Sequence, residues 1–424
     1  MVRSTSESPL TPPPTVGSNV NSFPVKLLIF AHVPPPHHGQ SYMVKLMWDG
    51  FRSEKPSPEA ILCWHVDARF SKGVEDIGGF RPLKALLVML YCLQAVRLRF
   101  VHGITHFYYV PAPGMRLPVL RDWVVMILCR PFFKKFIFHW HSVGLGDWLE
   151  TQAPPVFNRV SKILLGGVDL SIVLSRYNAA DGAKFGPKKI SVIANGIPDP
   201  CPHFDAAILP LRKKRCAARV RLAAGIPAAD PEQEPLQQAA ATIRVLFLAL
   251  CTHDKGLFQA VDGVLTANEL LRRKNSPFRF LLTVAGKFYT AQDESDLNGR
   301  LSLPGAKGAV TYIGFVSGDE KLDLLAAADV FCFPTFYPME GQPVNLIEAM
   351  AFGLPVISTR WRSIPEMMPE NYAGLVDVKS SEQVAQALLN VIEKEEASTM
   401  RNRFLSRHSL EHYLASLKAA IKEA

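Results

Sequence analysis

VKLLIFAHV, from Val25 to Val33, is an apolar run with no helical period; the turn-rich PPPHHGQ follows it, and then the helix-like SYMVKLMWDGF. That is the signature of a strand, a loop and a helix. The alternation recurs through ILCWHV, PLKALLVMLYCLQAVRLRF, ITHFYYV, LPVLRDWVVMILCR, KFIFHWH, DLSIVLS and ISVIANG. Strands buried on both faces are continuous apolar runs, and strands that alternate with helices pair in parallel. Residues 23–200 are therefore expected to form one Rossmann-like, doubly wound α/β domain.

After Asn195-Gly196 the segment DPCPHFDAAILP loses periodicity and carries three prolines, which marks a linker and a boundary near residue 200. A second α/β series begins with the basic helix pattern LRKKRCAARVRLAAG. It continues through IRVLFLAL, FRFLLTVAG, AVTYIGFV, EKLDLLAAA, DVFCFPT, NLIEAMAFG and LPVISTR, so residues 201–403 form a second Rossmann-like domain. RNRFLSRHSLEHYLASLKAAIKEA reads as one amphipathic helix pattern, and residues 404–424 form a C-terminal helix able to return to the first domain. The start, MVRSTSESPLTPPPTVGSNVNS, is rich in Ser, Thr and Pro and has no apolar leader core, so residues 1–22 are expected to be a disordered tail. Ala85 to Val96 is apolar and bracketed by Arg81, Lys84, Arg97 and Arg99. It is too short to cross a bilayer, and a buried Rossmann helix is the expected reading, ahead of an interfacial one.

With 424 residues the chain is long enough for two cores and a cleft between them. Its seven cysteines are scattered and odd in number, which suggests neither a disulfide framework nor a metal knuckle and fits a reducing cytoplasm. The net charge of +9 is uneven. Arg81, Lys84, Arg97, Arg99, Arg116, Arg121, Arg130, Lys134 and Lys135 face only Asp122 between residues 81 and 140. The stretch is either a solvated basic face or a surface for an acidic partner, such as an anionic membrane or a phosphorylated acceptor. No nucleic-acid module accompanies it, so nucleic acid is not expected as a partner.

The densest chemistry lies in FPTFYPMEGQPVNLIEAMAFGLPVIST, where Glu340 and Glu348 frame a Gly-x-Pro turn and a short helix between two apolar strands. Pro343 suits the first position of a helix. Backbone N–H groups from Gln342 to Asn345 would then open a helix N-terminus, a seat for a diphosphate, and Gly341 lets the backbone come close. Glu348, one turn into the helix, can accept two hydrogen bonds from a cis-diol such as ribose, while Glu340 in the loop reaches toward a sugar.

This segment resembles the E-x7-E signature of glycosyltransferase family 4 (glycosyl transferases group 1), retaining enzymes with the two-domain GT-B fold, and EAMAFGLPVIST resembles its usual continuation. VTYIGFVSGDEKLDLLAAADVFCFPT, DLSIVLSRYN, ISVIANGIPD and FLLTVAG are similar to other family segments, so the likeness spans most of residues 25–415. It implies two domains facing across a cleft, with the donor nucleotide on the second and the acceptor on the first. Lys255-Gly256 in THDKG matches the family's Lys-Gly, whose ammonium meets the donor phosphates. Gly314 precedes the backbone that meets the base. Gly39 matches a glycine loop over the diphosphate, where a second family glycine is here Gln40. His141 in FIFHWHSVG stands where the family has a His near the reacting sugar, and is preferred over His139 because it opens a loop. The family's usual Arg five residues before the Lys is here Leu250; His253 or a neighbour replaces it, or Lys255 and the helix N-terminus suffice.

The resulting expectation is retaining transfer of a sugar from a nucleoside diphosphate sugar to a glycan or lipid-linked acceptor, without metal or other cofactor, by a cytoplasmic protein peripheral on the inner face of the membrane. Adjacent His37 and His38 lack a third ligand and are expected to be loop residues. A sugar-nucleotide epimerase or glycosyl phosphorylase shares the plan, and a non-catalytic nucleotide-sugar-binding protein is the rival outside catalysis.

Overall fold

The computed structural model describes residues 24–35, 39–55, 57–70, 82–228, 234–392 and 397–424. The expected tail at 1–22 and the pair His37 and His38 lie outside these. Two six-stranded sheets, parallel throughout, organise the chain. The first holds β1 (Val25–Phe30), β2 (Ile61–Val66), β3 (His106–Tyr109), β4 (Lys135–Trp140), β5 (Leu170–Val173) and β6 (Ile190–Val192), in the order β2-β1-β3-β4-β5-β6. The second holds β7 (Thr242–Leu248), β8 (Arg279–Ala285), β9 (Val310–Gly314), β10 (Val330–Phe333), β11 (Val356–Thr359) and β12 (Leu375–Val376), in the order β12-β11-β10-β7-β8-β9. The proline-rich linker near residue 200 falls between the sheets.

The alternation along β1 explains the layers. Leu27 and Ile29 pack with Met43, Val44 and Met47 of α1 (Gly39–Ser53), in a cluster that includes Tyr413 and Leu417 of α16 (Leu410–Lys422). Leu28 and Phe30, on the opposite face, pack with α2 (Pro82–His102), α3 (Arg116–Cys129) and α5 (Pro155–Leu165) through Val88, Cys92, Ala95, Val119, Met126 and Leu165. A period of two in a strand serves both faces. In each sheet the order of connection reverses beside the first strand, between β1 and β3 and between β7 and β10, and such switch points leave a crevice beyond the carboxyl ends of the strands.

Two sequence expectations are corrected here. The C-terminal pattern is two helices: α15 (Ala397–Arg407) stays on the second domain, and α16 crosses to the first. The break is at His408-Ser409, where Ser409 is extended and its hydroxyl accepts from the His412 N–H as an N-cap. The Ile197 N–H donates to the His408 carbonyl (2.9 Å) and the Leu410 N–H to the Ile197 carbonyl (2.9 Å), stitching the crossing to the linker. Beyond it, Leu414 lies over Gly50 of α1 and Lys418 pairs with Glu54 (2.9 Å).

The second correction concerns α2, which is not a buried helix. Among the described residues a narrow stripe reaches the core, Val88, Cys92 and Ala95 with half-buried Tyr91 and Leu98 beside them, while Leu86, Leu90, Leu93 and Phe100 face outward. In a doubly wound domain each helix needs just one apolar face, and here the outer face is apolar as well.

Candidate functional site between the sheets

Lys255 and Glu340 follow the two central strands of the second sheet. β7 ends at Leu248, and its loop turns into α9 (Leu257–Arg273) through Gly256, which has φ +80 and whose missing Cβ would collide with the Pro334 carbonyl. Only glycine closes that turn, and the turn delivers Lys255 to the loop after β10. There Lys255 Nζ donates to Glu340 Oε2 at 2.8 Å and sits 4.0 Å from the centre of the Tyr337 ring. Thr335 Oγ1 donates to the same oxygen at 3.2 Å, and Trp361 Nε1 holds the Tyr337 carbonyl at 2.9 Å. Burial, with the negative charge of Glu340 behind it, pushes the Tyr337 hydroxyl up to about 12.

α12 (Val344–Ala351) begins one residue later than expected, with Pro343 as an extended N-cap rather than its first residue. Asn345 Nδ2 donates to the Leu248 carbonyl at 2.9 Å, pinning the start of α12 to the end of β7. The opening N–H groups of a helix have no partner within it, and the helix dipole leaves that end positive. Across the cleft, α1 begins at Gly39, whose Cβ position lies 3.8 Å from Val344 Cγ2. Two helix N-termini, one from each domain, thus meet just beyond the loop that holds Glu340, the partner of Lys255.

Glu348 points back toward the end of β9. Its Oε1 accepts from Lys321 Nζ at 2.5 Å; Lys321 lies on α11 (Gly318–Ala327), which follows Gly314 at the end of β9. Gly314 has φ +82 with open space around its Cβ position, and exposed Phe315 comes next, with the Lys287 ammonium 4.9 Å from its ring. Tyr42 of α1 approaches from the first domain: burial raises its hydroxyl first, and the charge of Glu348 raises it further.

His141 follows β4 at the carboxyl end of the first sheet, and Gly341 packs on it so closely that a Cβ there would lie 2.5 Å from the His141 carbonyl oxygen. His139 is instead a core residue: its ring lies 4.1 Å from that of His141, its Nδ1 is 2.8 Å from the Tyr108 hydroxyl, and burial pushes its pKa well down. Gln342 turns its side chain to the first domain. Its Nε2 donates to the Leu174 carbonyl (2.7 Å) and its Oε1 accepts from the Asn195 N–H (2.8 Å). Glu366, on the second domain, accepts from the N–H groups of Arg176 (2.8 Å) and Tyr177 (2.7 Å), which open a helix of the first.

The structure therefore gathers His141, Gly341, Gln342, Pro343, Gly39, Lys255 and Glu340 at the meeting of the two switch points, with Glu348 and Gly314 at the flank. The position of the absent arginine, Leu250, is 42% exposed. His253 pairs with Asp296 (2.9 Å), away from Lys255. Sequence reasoning missed Lys321, Tyr42, Arg362 and the side-chain role of Asn345, whose backbone alone it places at the helix N-terminus. Arg362 has φ +50, a strained region for a side-chain-bearing residue; its guanidinium stacks on Trp361 at 5.3 Å, and its buried Nε and Nη1 have no hydrogen-bond partner among the described residues. A non-glycine residue in such a loop gives no local signal, and Lys321 meets its carboxylate 27 positions away.

Residues 243–394 match the family described as Glycosyl transferases group 1. The amylovoran biosynthesis glycosyltransferase AmsK of Erwinia amylovora is 30% identical over 162 residues, 37% of this chain and 38% of that protein. The putative colanic acid biosynthesis glycosyltransferase WcaL of Escherichia coli K12 is 29% identical over 185 residues, 42% of this chain and 43% of its own length. The matched region thus spans about two fifths of these relatives. In overall fold the chain is similar to Anabaena Alr3699/HepE, solved in complex with UDP and glucose, with a TM-score of 0.61 over 94% of this chain and 100% of that one at 14% identity. It is likewise similar to the lipopolysaccharide outer core galactosyltransferase WaaB in its apo form, with a TM-score of 0.62 over 94% and 99% at 14% identity. Two parallel six-stranded sheets joined across a cleft, with the E-x7-E segment at their junction, give this chain the GT-B fold, and its residues 243–394 match the glycosyl transferases group 1 family.

Proposed function

We propose that this protein is a retaining glycosyltransferase that moves a sugar from a nucleoside diphosphate sugar onto a glycan or lipid-linked acceptor. The observation that carries the reading is the meeting of the α1 and α12 N-termini, with the Lys255–Glu340 pair in the loops that follow the central strands of the second sheet and lead into α12. An anion placed there meets two helix dipoles and one ammonium. A diphosphate leaving group gains charge as the bond from its β-phosphate oxygen to the anomeric carbon breaks, so this arrangement acts most strongly in the transition state. Glu348 takes the ribose hydroxyls once Lys321 yields, and the base lies along Gly314 and Phe315. Glu340 and His141 orient the sugar. The acceptor oxygen bonds to the anomeric carbon on the face the diphosphate leaves, and its proton passes to a departing phosphate oxygen, so configuration is retained. No metal enters these steps.

The acceptor class is supported by relatives named for amylovoran and colanic acid biosynthesis, and by the positive first domain, which suits an anionic or membrane-bound acceptor. The test is thermal shift of the whole chain against UDP-, GDP- and ADP-sugars, followed by product analysis with the stabilising donor. A ligand that binds only the native state raises the melting temperature. The reading predicts stabilisation by one nucleotide class and acceptor-dependent release of the nucleoside diphosphate. Stabilisation without turnover would support a binding protein, and donor-only or phosphate-dependent turnover an epimerase or phosphorylase.

A further inference from the structure

We propose that the outer face of α2, α3 and α5 is an interfacial docking surface for an anionic lipid bilayer. The three helices form the layer on one side of the first sheet, where the outward side of each would ordinarily be polar. Here it is not. Leu86, Leu90, Leu93, Phe100 and Val101 line α2, with Leu93 63% and Phe100 67% exposed. Leu117, Leu120, Val124 and Ile127 repeat at helical spacing on α3, and Val156 and Ile163 (68% exposed) continue the face on α5. Phe132 closes the edge between α3 and β4; its ring lies 6.0 Å from that of Phe100, and Arg99 Nε donates to its carbonyl at 2.9 Å.

Charge selects the occupant. In residues 85–102, 116–135 and 155–165 the sole acid is Asp122, which is fully buried and bound to Arg121 (2.8 Å). Arg97, Arg116, Lys134 and Arg159 are exposed around the apolar side chains. Other cations of the basic stretch are committed elsewhere: Arg130 donates to the Leu164 and Gly166 carbonyls (2.6 Å each) and Lys135 to the Ala424 carbonyl (2.6 Å). These ties leave no phosphate seat at Arg130 and Lys135, while the exposed set is spread over the helical face as a bilayer requires. A second copy of the chain docked by the same face would bring these cations against one another. Spanning is also disfavoured. Ala85–His102 is long and apolar enough to cross a membrane, but it is the crossover between β2 and β3 and cannot leave without dismantling the sheet. The helix therefore lies in the plane of the interface, with its outer stripe among the acyl chains and the cations at the phosphates.

The test is co-sedimentation of the full chain with phosphatidylcholine vesicles, with and without phosphatidylglycerol, across a salt series and without donor or acceptor. Its failure would leave the glycosyl-transfer reading standing, and failure of that reading would not alter vesicle binding. Partition should require the anionic lipid and weaken with salt. It should fall roughly tenfold for each large apolar residue lost in Leu86→Ser, Leu93→Ser and Phe100→Ser, and about fivefold for each cation neutralised in Arg97→Gln, Arg116→Gln and Lys134→Gln. Leu405→Ser, an exposed leucine on α15, should change nothing. Should the triple serine variant melt early, Leu93→Ser alone against Leu405→Ser decides. Equal binding to neutral vesicles, binding unmoved by the serine substitutions, or no binding together with a dimer abolished by them would each overturn the proposal.

Discussion

At the scale of single residues, the proposed donor would have to engage the ion pairs at the site. Glu348 is held by Lys321 at 2.5 Å, so under the proposed function a ribose would compete with that ammonium. In Glu348→Ala, nucleotide binding should weaken by about 1.5–3 kcal/mol, the value of a charge-assisted hydrogen bond; titration calorimetry with the free nucleoside diphosphate checks this, and unchanged affinity in a folded variant would remove Glu348 from the ribose. Leu250 carries no charge at the place where the resembled family has a second cation, and His253 is drawn to Asp296, which leaves Lys255 as the proposed phosphate cation. Lys255→Ala should therefore lower kcat on the order of 10² to 10³, comparable to removing one oxyanion donor, with a smaller change in KM. A mild effect would transfer the role to another cation, with Arg362 the first to examine.

Among the elements, the short segment between β10 and α12 has two tasks that local pattern does not separate. Its backbone opens toward the proposed phosphate position, while Gly341 and Gln342 grip the first domain through His141, Leu174 and Asn195. Gly341→Ala adds a methyl group 2.5 Å from the His141 carbonyl oxygen, a distance backbone cannot absorb without moving the domains apart. The second domain's own fold and its nucleotide affinity should survive, while turnover falls by a factor of ten or more. Nucleotide titration and steady-state kinetics on one preparation check this; parallel loss of both would show that the glycine serves the loop and not the domain contact. The helix α2 teaches a related lesson. Its dozen apolar residues favour a buried helix without excluding an interfacial one, and only its packing showed which side was unneeded by the core.

For the whole molecule, the two domains are tied by the crossing at His408-Ser409, and that tie is sensitive to acid. His408 is buried, its Nδ1 lies 2.8 Å from the Asn195 carbonyl oxygen and so carries the proton, and burial pushes its pKa down from 6.5 to about 4. The Asn195 carbonyl opposes that shift, while Arg403, Arg407 and His412 add to it. Because the folded value lies below the unfolded one, the unfolded chain binds more protons between pH 6.5 and 4. The contribution of His408 is thus complete above 6.5 and is lost as pH falls through that window, up to about 3 kcal/mol. Thermal melts should decline steeply from pH 6.5 to 4.5, and His408→Gln should flatten that limb while lowering stability at neutral pH; an equal slope in the variant would assign the acid limb to other groups, His139 among them.

Much was determined by local pattern. Apolar runs with intervening helical periods specify parallel crossover units, since a strand buried on both faces and its covering helix differ in period. Proline clustering near residue 200 separates the two series, and the E-x7-E spacing places Glu340 in a loop and Glu348 one helical turn beyond its start. Tertiary structure decided what depends on the meeting of distant segments: Lys321 against Glu348, Gly39 facing Val344, Gln342 latched to Asn195, and the split of the terminal pattern at Ser409, where an amphipathic period continues through a residue whose hydroxyl caps the next helix. Periodicity records which face of an element is apolar. It does not record which neighbour, solvent or bilayer that face meets, because that is fixed by contacts between residues far apart in the chain.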